Sequence, residues 1–476
     1  MAISFKPTGN DLPISNNGMP AGKRGSSATR KYLKRIVFEG AFANVFIVYT
    51  GGAFITGMAL MMGANDFEIG LLAAIPFLAQ FTQLLSAYLM DRTGKRKKMT
   101  VFAVGLARQI WWLLIPLLLI SPYEFLNVLL ALVIISNLLS MIIAPGWLTW
   151  MSDLIPNRIR ARFFGSRSAA MATSTVLASV LGGIILDYFR SLQMEGIGFA
   201  ILIFFSCAFS LVALFLLKSL PDRDEGMKDF SITISRTLEP FRNPRFGKLM
   251  LVFFVWNISI GIAAAFFAPH MLSILKMTFF QISIYTSIAA VMATLLNRPW
   301  GAIVDKFGCR PVIFICGLGI SLVPFIWLIP RSDFTWILYI ESAYTGIVWT
   351  GFNLAAFNIP IASSPRNGRT VYLSVFAVVT GFAFFVASML GGLIAESFSD
   401  FHLDCGGATF VNYHLLFVIS GFLRLMATFL FLTFHEPRET RIPIMVHFMG
   451  YSILKRMTVG RQFLPWAHRM KTRGSS

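Results

Sequence analysis

The sequence predicts an all-α membrane protein with twelve transmembrane helices in two six-helix bundles and both termini cytoplasmic. Three observations predict it. The 476 residues are 56% hydrophobic and only 13% charged, with a mean hydropathy of +0.69, whereas soluble domains carry about 25% charged residues. Twelve apolar runs are long enough to cross a hydrocarbon core, which takes about 20 helical residues. A charged turn is also written twice, "MDRTGKRKK" at 90–98 and "VDKFGCR" at 304–310, with its aspartates 214 residues apart.

Taken in order, residues 1–35 are polar, with seven cations and a single acid, Asp11. They hold no apolar core followed by a small-residue cleavage site, so no secretory signal is expected. The segment reads as a disordered basic cytoplasmic tail, with a transit peptide as the alternative. The apolar runs follow at about 36–62, 69–90, 99–121, 125–151, 168–189 and 197–218, then 248–270, 281–304, 311–330, 335–360, 371–396 and 412–434. Pro76, Pro116, Pro145 and Pro324 interrupt them, as membrane helices tolerate. The halves are then 36–218 and 248–435. The linker 219–247, "SLPDRDEGMKDFSITISRTLEPFRNPRFG", is long, polar and mixed in charge. The tail 436–476 is basic, with an interfacial helix conceivable around "MVHFMGYSILKRM".

Lys and Arg set the orientation. With the N-terminus inside, the inner segments, counted with Lys218 and Lys248 at the adjoining span ends, hold 35 of the 41 cations, the outer loops three (Arg190, Lys276, Arg331) and the span interiors three (Arg108, Arg298, Arg424). This is the positive-inside asymmetry. It accounts for the net charge of +19 by cations held at one face near membrane lipid, so no nucleic-acid partner is expected. The four cysteines have no CxxC spacing, and neither a disulfide framework nor a metal site follows. No phosphate-binding loop, zinc-protease helix or nucleophile elbow is present in the sequence. The expectation is therefore no enzyme and no cofactor.

The duplication extends beyond the turn. "LGGIILDYF" at 181–189 returns as "LGGLIAESF" at 390–398, and Asn44 returns as Asn257. Each charged turn lies between the second and third run of its half. There a carboxylate at a helix end can take charge-assisted hydrogen bonds from arginines or from a neighbouring helix start. Two copies would latch two halves that rock against each other.

These residues resemble the first signature of the major facilitator superfamily, a glycine followed by D-[RK]-x-G-x-[RK]. The second copy carries Gly301, Asp305, Lys306, Gly308 and Arg310. The first carries Asp91, Arg92, Gly94 and Arg96, with Ala87 in the glycine position. The resemblance covers about 36–435 and implies a transporter with a central cavity lined by helices 1, 4, 7 and 10. It also implies a cytoplasmic gate: Asp91 and Asp305 with their turns, joined by Asp153, Arg158, Arg162 and Arg167 from "WMSDLIPNRIRARFFGSR". Arg298, close to the second turn, would anchor that gate.

Ionisable groups inside spans are costly and are functional candidates by default. They are Glu39, Arg108, Glu341 and Arg424, the coupling candidates, besides Arg298. Structural pairing between helices is the competing reading for the arginines. Near mid-depth on the helices that the resemblance assigns to the cavity lie Asn44, Tyr49, Asn137, Asn257, Tyr344, Trp349 and Asn353. These are the substrate-binding candidates, although asparagine also glues helices together. Trp147, Trp150 and His270 read as interfacial residues.

The expected function is secondary active transport of a small solute, anionic or zwitterionic, by alternating access, with proton or other ion coupling. The chain is expected to act as a monomer in a bacterial inner membrane. A drug or metabolite exporter is the alternative within the fold. Drug antiporters of the family carry G-P-x-x-G-G in helix 5, and "ASVLGG" at 178–183 keeps only its last glycines. A non-transporting receptor or assembly factor is the alternative from another class.

Overall fold

The computed structural model describes residues 23–83, 96–155, 159–221, 237–365, 368–405, 408–433 and 445. The described chain is almost all helix. It contains one two-stranded antiparallel hairpin, β1 (His402–Cys405) with β2 (Ala408–Val411). Nine helices among the described residues are long and apolar enough to cross a membrane. In lipid the backbone has no partner but itself, which is why these apolar runs fold as helices.

The helices of the first half are α1 (Lys23–Tyr49, resumed at Gly52–Met61), α2 (Asp66–Leu78), α3 (Arg96–Gln109, resumed at Leu114–Ile120), α4 (Leu126–Leu154), α5 (Arg160–Ser191) and α6 (Glu195–Lys218). Those of the second are α7 (Pro244–Ala264), α8 (Phe279–Phe307), α9 (Cys309–Ile326), α10 (Ile337–Ser363), α11 (Arg369–Ser397) and α12 (Asn412–Leu430). Residues 160–167, which read as loop in the sequence, are the first turns of α5; arginine is a good helix former.

Local chemistry sets the ends. The Asn65 side chain accepts the Glu68 N–H while the Glu68 carboxylate accepts the Asn65 N–H, a capping box that starts α2. Thr278 and Gln281 repeat it at the start of α8, 213 residues later. Such a box satisfies two orphan donors of a helix N-terminus at once. Gly308 ends α8 at φ +90°, a left-handed conformation that glycine adopts without a steric cost.

Packing repeats like the sequence. In the first half α1 packs on α5 and α6, and α3 on α4 and α6. In the second, α7 packs on α11 and α12, and α9 on α10 and α12. Among the described residues, the most extensive pairings between the halves are α2 on α11 and α5 on α8, and the Gly52–Met61 part of α1 adds a smaller one on Phe267–Pro269 and α8. The cation-rich end of the helices is called inner and the opposite end outer.

The cores differ between the two ends. At the outer end one hydrophobic core contains residues of both halves, such as Phe54, Met58 and Leu186 with Phe266, Phe279 and Phe417. At the inner end there are two separate cores. One holds Ile36, Trp150, Met151 and Phe163, the other Phe246, Trp256, Trp300 and Tyr372. Among the described residues, every hydrogen bond between the halves lies on the outer side. Further inward, Phe77 stacks on Phe384 and Phe81 meets Phe382 edge-on. Beside Phe81 an apolar groove of about 690 Å³ is walled mainly by the second half, through Phe241, Leu251, Phe254, Val379 and Phe382. Among the described residues, the halves share one core at the outer end and hold separate cores at the inner end.

Candidate functional site

The outer seam is built from two repeat-related contacts. Asp187, near the end of α5, accepts the N–H groups of Phe279 and Phe280, both at 2.8 Å, at the start of α8. Glu396, in the same repeat position 209 residues on, accepts the N–H of Asp66 at 3.0 Å, at the start of α2. Each half thus caps a helix of the other with a carboxylate. The first turn of a helix presents unpaired N–H donors and the positive end of its dipole, so an anion there is held by charge and hydrogen bonding together.

The backbones at the seam approach closely. A Cβ on Gly183 would lie 2.8 Å from the Phe279 carbonyl oxygen, and one on Gly392 3.1 Å from the Cα of Phe67. Ser283 donates to the Ser179 carbonyl at 2.6 Å, and Ser388 to the Gly70 carbonyl at 2.9 Å. Asp66 adds a further tie: it accepts from the Tyr413 hydroxyl at 2.6 Å and the Asn412 amide at 2.7 Å. Burial raises the Asp66 carboxyl above its ordinary range, the two donors oppose that shift, and the Glu396 charge adds to it.

The first charged cluster lies toward the inner end of the first half. Glu39 on α1 is 2% exposed and pairs with Arg167 on α5 at 3.3 Å. The Arg167 guanidinium lies 4.6 Å from the ring centre of Trp147 on α4. It also rests against Gly40, where a Cβ would come within 2.7 Å of its Nε. Arg108 on α3 feels the charges of both Glu39 and Arg167. Its Nη1 and the Arg167 Nε are buried and have no hydrogen-bond partner among the described residues.

The second cluster lies in the outer part of the second half. Glu341 on α10 is 2% exposed and accepts the Tyr285 hydroxyl of α8 at 2.9 Å and the Thr345 hydroxyl one turn on. Arg424 on α12, also 2% exposed, interacts electrostatically with Glu341 and leaves its Nε without a partner among the described residues. His270 is fully buried rather than interfacial. It sits beside His414, Trp327 and Phe417, because the segment after α7 turns inward through a π-helical turn, His270–Ile274.

The sequence candidates separate accordingly. Asn44 donates to the Thr175 hydroxyl at 2.7 Å and the Met171 carbonyl at 3.1 Å, so its amide ties α1 to α5. Asn137 and Asn257 donate to carbonyls of their own helices, Val133 and Phe253. Tyr49 is packed on Phe54 within the outer core. The Tyr344 hydroxyl donates to the Gly319 carbonyl at 2.9 Å, Trp349 contacts Phe352 edge-on, and Asn353 is exposed. Trp150 is buried and donates to the Pro221 carbonyl at 3.1 Å, while Trp147 lies under Arg167.

Of the gate candidates, Asp91, Arg92, Gly94 and Arg158 lie outside the described residues, and Arg96, Asp153 and Arg162 fall within helices. Arg298 and Asp305 are exposed and Gly301 is half-buried. Lys306 lies 5.2 Å from the Phe307 ring centre, and Arg310 donates to the Leu432 carbonyl. Arg167, expected beside the gate, pairs with Glu39.

Sequence reasoning missed Asp66, Asp187, Glu396 and Tyr285. A signal for the caps was present: the paired "LGG" repeats each carry an acid at their seventh residue, and Asn65-x-x-Glu68 and Thr278-x-x-Gln281 each spell a helix start.

A family model described as Major Facilitator Superfamily matches residues 38–272 and 249–467. The fold is similar to a crystal structure of a variant of the nucleoside transporter NupG, with a TM-score of 0.67 at 15% identity over 86% of this chain and 100% of that one. It is similar to a bacterial homologue of the iron transporter ferroportin in its inward-facing state, with a TM-score of 0.63 at 14% identity over 86% of this chain and 98% of that one. For the outward-facing state of that homologue the TM-score is 0.53, at 14% identity over 85% and 98%. In sequence the chain is 28% identical over 116 residues to a class H tetracycline resistance protein of Pasteurella multocida, a match that spans 24% of this chain and 27% of that protein.

Proposed function

Since this chain belongs to the major facilitator superfamily, we propose that it is a secondary active transporter that moves a small solute by alternating access. It is a multi-pass integral membrane protein, and we place it in a bacterial inner membrane as a monomer. In this reading two bundles, 36–218 and 248–435, are joined by the linker 219–247. Twelve spans keep both termini cytoplasmic. The carrying observation is the single core at the outer end against two cores at the inner end. That arrangement is one end state of a rocking transporter, closed outside and open inside, and the higher similarity to the inward-facing ferroportin homologue supports it.

Transport requires the seam to open and the inner ends to meet. The caps from Asp187 and Glu396 hold the present state, and the Asp91 and Asp305 turns would hold the other. Coupling falls to Glu341. It is a carboxylate buried beside Tyr285, with the buried Arg424 as its charge partner. A buried acid of this kind can exchange a proton when the seam opens. Proteoliposomes carrying an internal pH dye test this. Addition of a transported solute should move protons in wild type, and Glu341→Gln should abolish the proton signal. Solute flux with an unchanged proton signal in Glu341→Gln would remove Glu341 from coupling.

Export of a drug or metabolite is the second reading. The partial match to a tetracycline resistance protein favours it. The direction of counterflow under an imposed pH gradient decides between uptake and export.

A further inference from the structure

Among the described residues, the cluster of Glu39, Arg108, Arg167 and Trp147 carries one net positive charge. Two guanidiniums share one carboxylate: Arg167 pairs with Glu39 at 3.3 Å, and Arg108 feels both without a partner for its Nη1 among the described residues. Charged groups within a membrane protein are normally paired, and an uncompensated one is costly. The site is also shaped to hold a guanidinium still. Arg167 is clamped between the face of Trp147 and the bare backbone of Gly40, with its side chain 15% exposed. It is therefore partly accessible, yet shielded enough for its charge to count. Trp147 and Gly40 serve no capping or helix-ending purpose that would otherwise explain this clamp.

We propose that this cluster is the solute site and that it binds a monocarboxylate, with the carboxylate received by Arg108 Nη1 and Arg167 Nε, the two guanidinium nitrogens left without partners among the described residues, while Arg167 Nη1 and Nη2 stay on Met171 Sδ and Glu39. The charge count selects the class. A monoanion brings the cluster to neutrality, a dianion such as a phosphate monoester would overshoot by one charge, and a neutral solute would leave the excess in place. The planar fork of arginine suits a carboxylate in two-point contact. The inference rests on the transporter reading and gives it a substrate class.

The test melts the purified full-length protein in detergent with sodium acetate or sodium benzoate at ~100 mM, against equal sodium chloride, acetamide, benzamide and inorganic phosphate. The two carboxylates should raise the melting temperature by about 1–2 °C more than chloride or the amides. The increment should vanish in Arg167→Gln and in Arg108→Gln. Without ligand, Arg108→Gln should melt no lower than wild type, because it removes the surplus cation; a purely structural arginine would lower it. Equal shifts in carboxylate and chloride would overturn the proposal. So would a carboxylate increment that survives both variants, or a larger effect of phosphate. Spin-label distances across the outer seam, recorded on the same preparations, separate the two readings. A seam that still opens and closes while carboxylates fail to bind sinks the substrate class and leaves transport standing.

Discussion

The carboxylate of Asp187 accepts the backbone N–H of Phe279 at 2.8 Å, so a residue of the first half caps a helix of the second. The reciprocal contact, Glu396 on Asp66 at 3.0 Å, makes the seam nearly two-fold. Removing a cap costs a helix about 1 kcal/mol, and charged acceptors roughly double a neutral hydrogen bond. Asp187→Asn and Glu396→Gln should each weaken the closed outer seam by about 1–2 kcal/mol, roughly a five- to thirtyfold shift toward the outward-open state. Double electron–electron resonance between labels at the exposed Tyr188 and Phe280 reads the populations. Unchanged distances in both variants would remove the caps from the latch.

Close backbone approach is the second support of the seam. Gly183→Ala places a methyl against the Phe279 carbonyl and the Phe280 Cα, rigid neighbours that cannot step aside. It should open the outer seam or lower the melting temperature. Gly165→Ala, where nothing lies within 4 Å, is the control and should do neither.

Asp66 makes the seam sensitive to pH. Burial raises its carboxyl above the ordinary range, with Tyr413 and Asn412 opposing and Glu396 adding. A raised acid binds its proton more tightly in the closed state than when solvated. The closed state therefore carries a cost while Asp66 is ionised. That cost is relieved as pH falls through the raised value. Acidification to just above the usual carboxylate range should favour the closed outer end, read by the same label pair. Asp66→Asn should flatten this dependence.

Glu341 and Arg424 form a buried set of opposite charges, and removal of one partner strands the other. Glu341→Gln should destabilise by about 3 kcal/mol, and Glu341→Gln combined with Arg424→Met should recover most of the loss. Thermal unfolding of the three variants checks this. A double variant no better than the single would mean that the two charges do not compensate each other.

Asn44 is expected to act as glue. Asn44→Ala removes the donor to Thr175 and Met171 and should cost about 1–2 kcal/mol of stability without weakening carboxylate binding. A loss of binding in a variant with unchanged melting would return Asn44 to the solute.

The membrane class and the doubled arrangement were legible because they rest on sums: hydropathy over long runs, cations counted by side, and segments recurring at an offset near 210 residues. Single polar residues were not. An asparagine inside an apolar helix signals that a partner is needed, but not whether the partner is a solute or, as for Asn44, the next helix. The acids at 187 and 396 stood at span ends, where water is the default partner. Only the packing of α5 on α8 and α11 on α2 brings helix starts to them. His270 read as interfacial from its place in the sequence, and the inward turn after α7 buries it.

The most direct measurement records two distances in one sample by electron resonance in lipid nanodiscs. One label pair spans the outer seam at Tyr188 and Phe280. The other spans the inner end at the exposed Lys31 and Lys248. Alternating access predicts two populations that exchange in opposite senses, short outside with long inside and the reverse, with Asp187→Asn moving both. A single pair of distances, unmoved by Asp187→Asn and by any solute, would contradict the account.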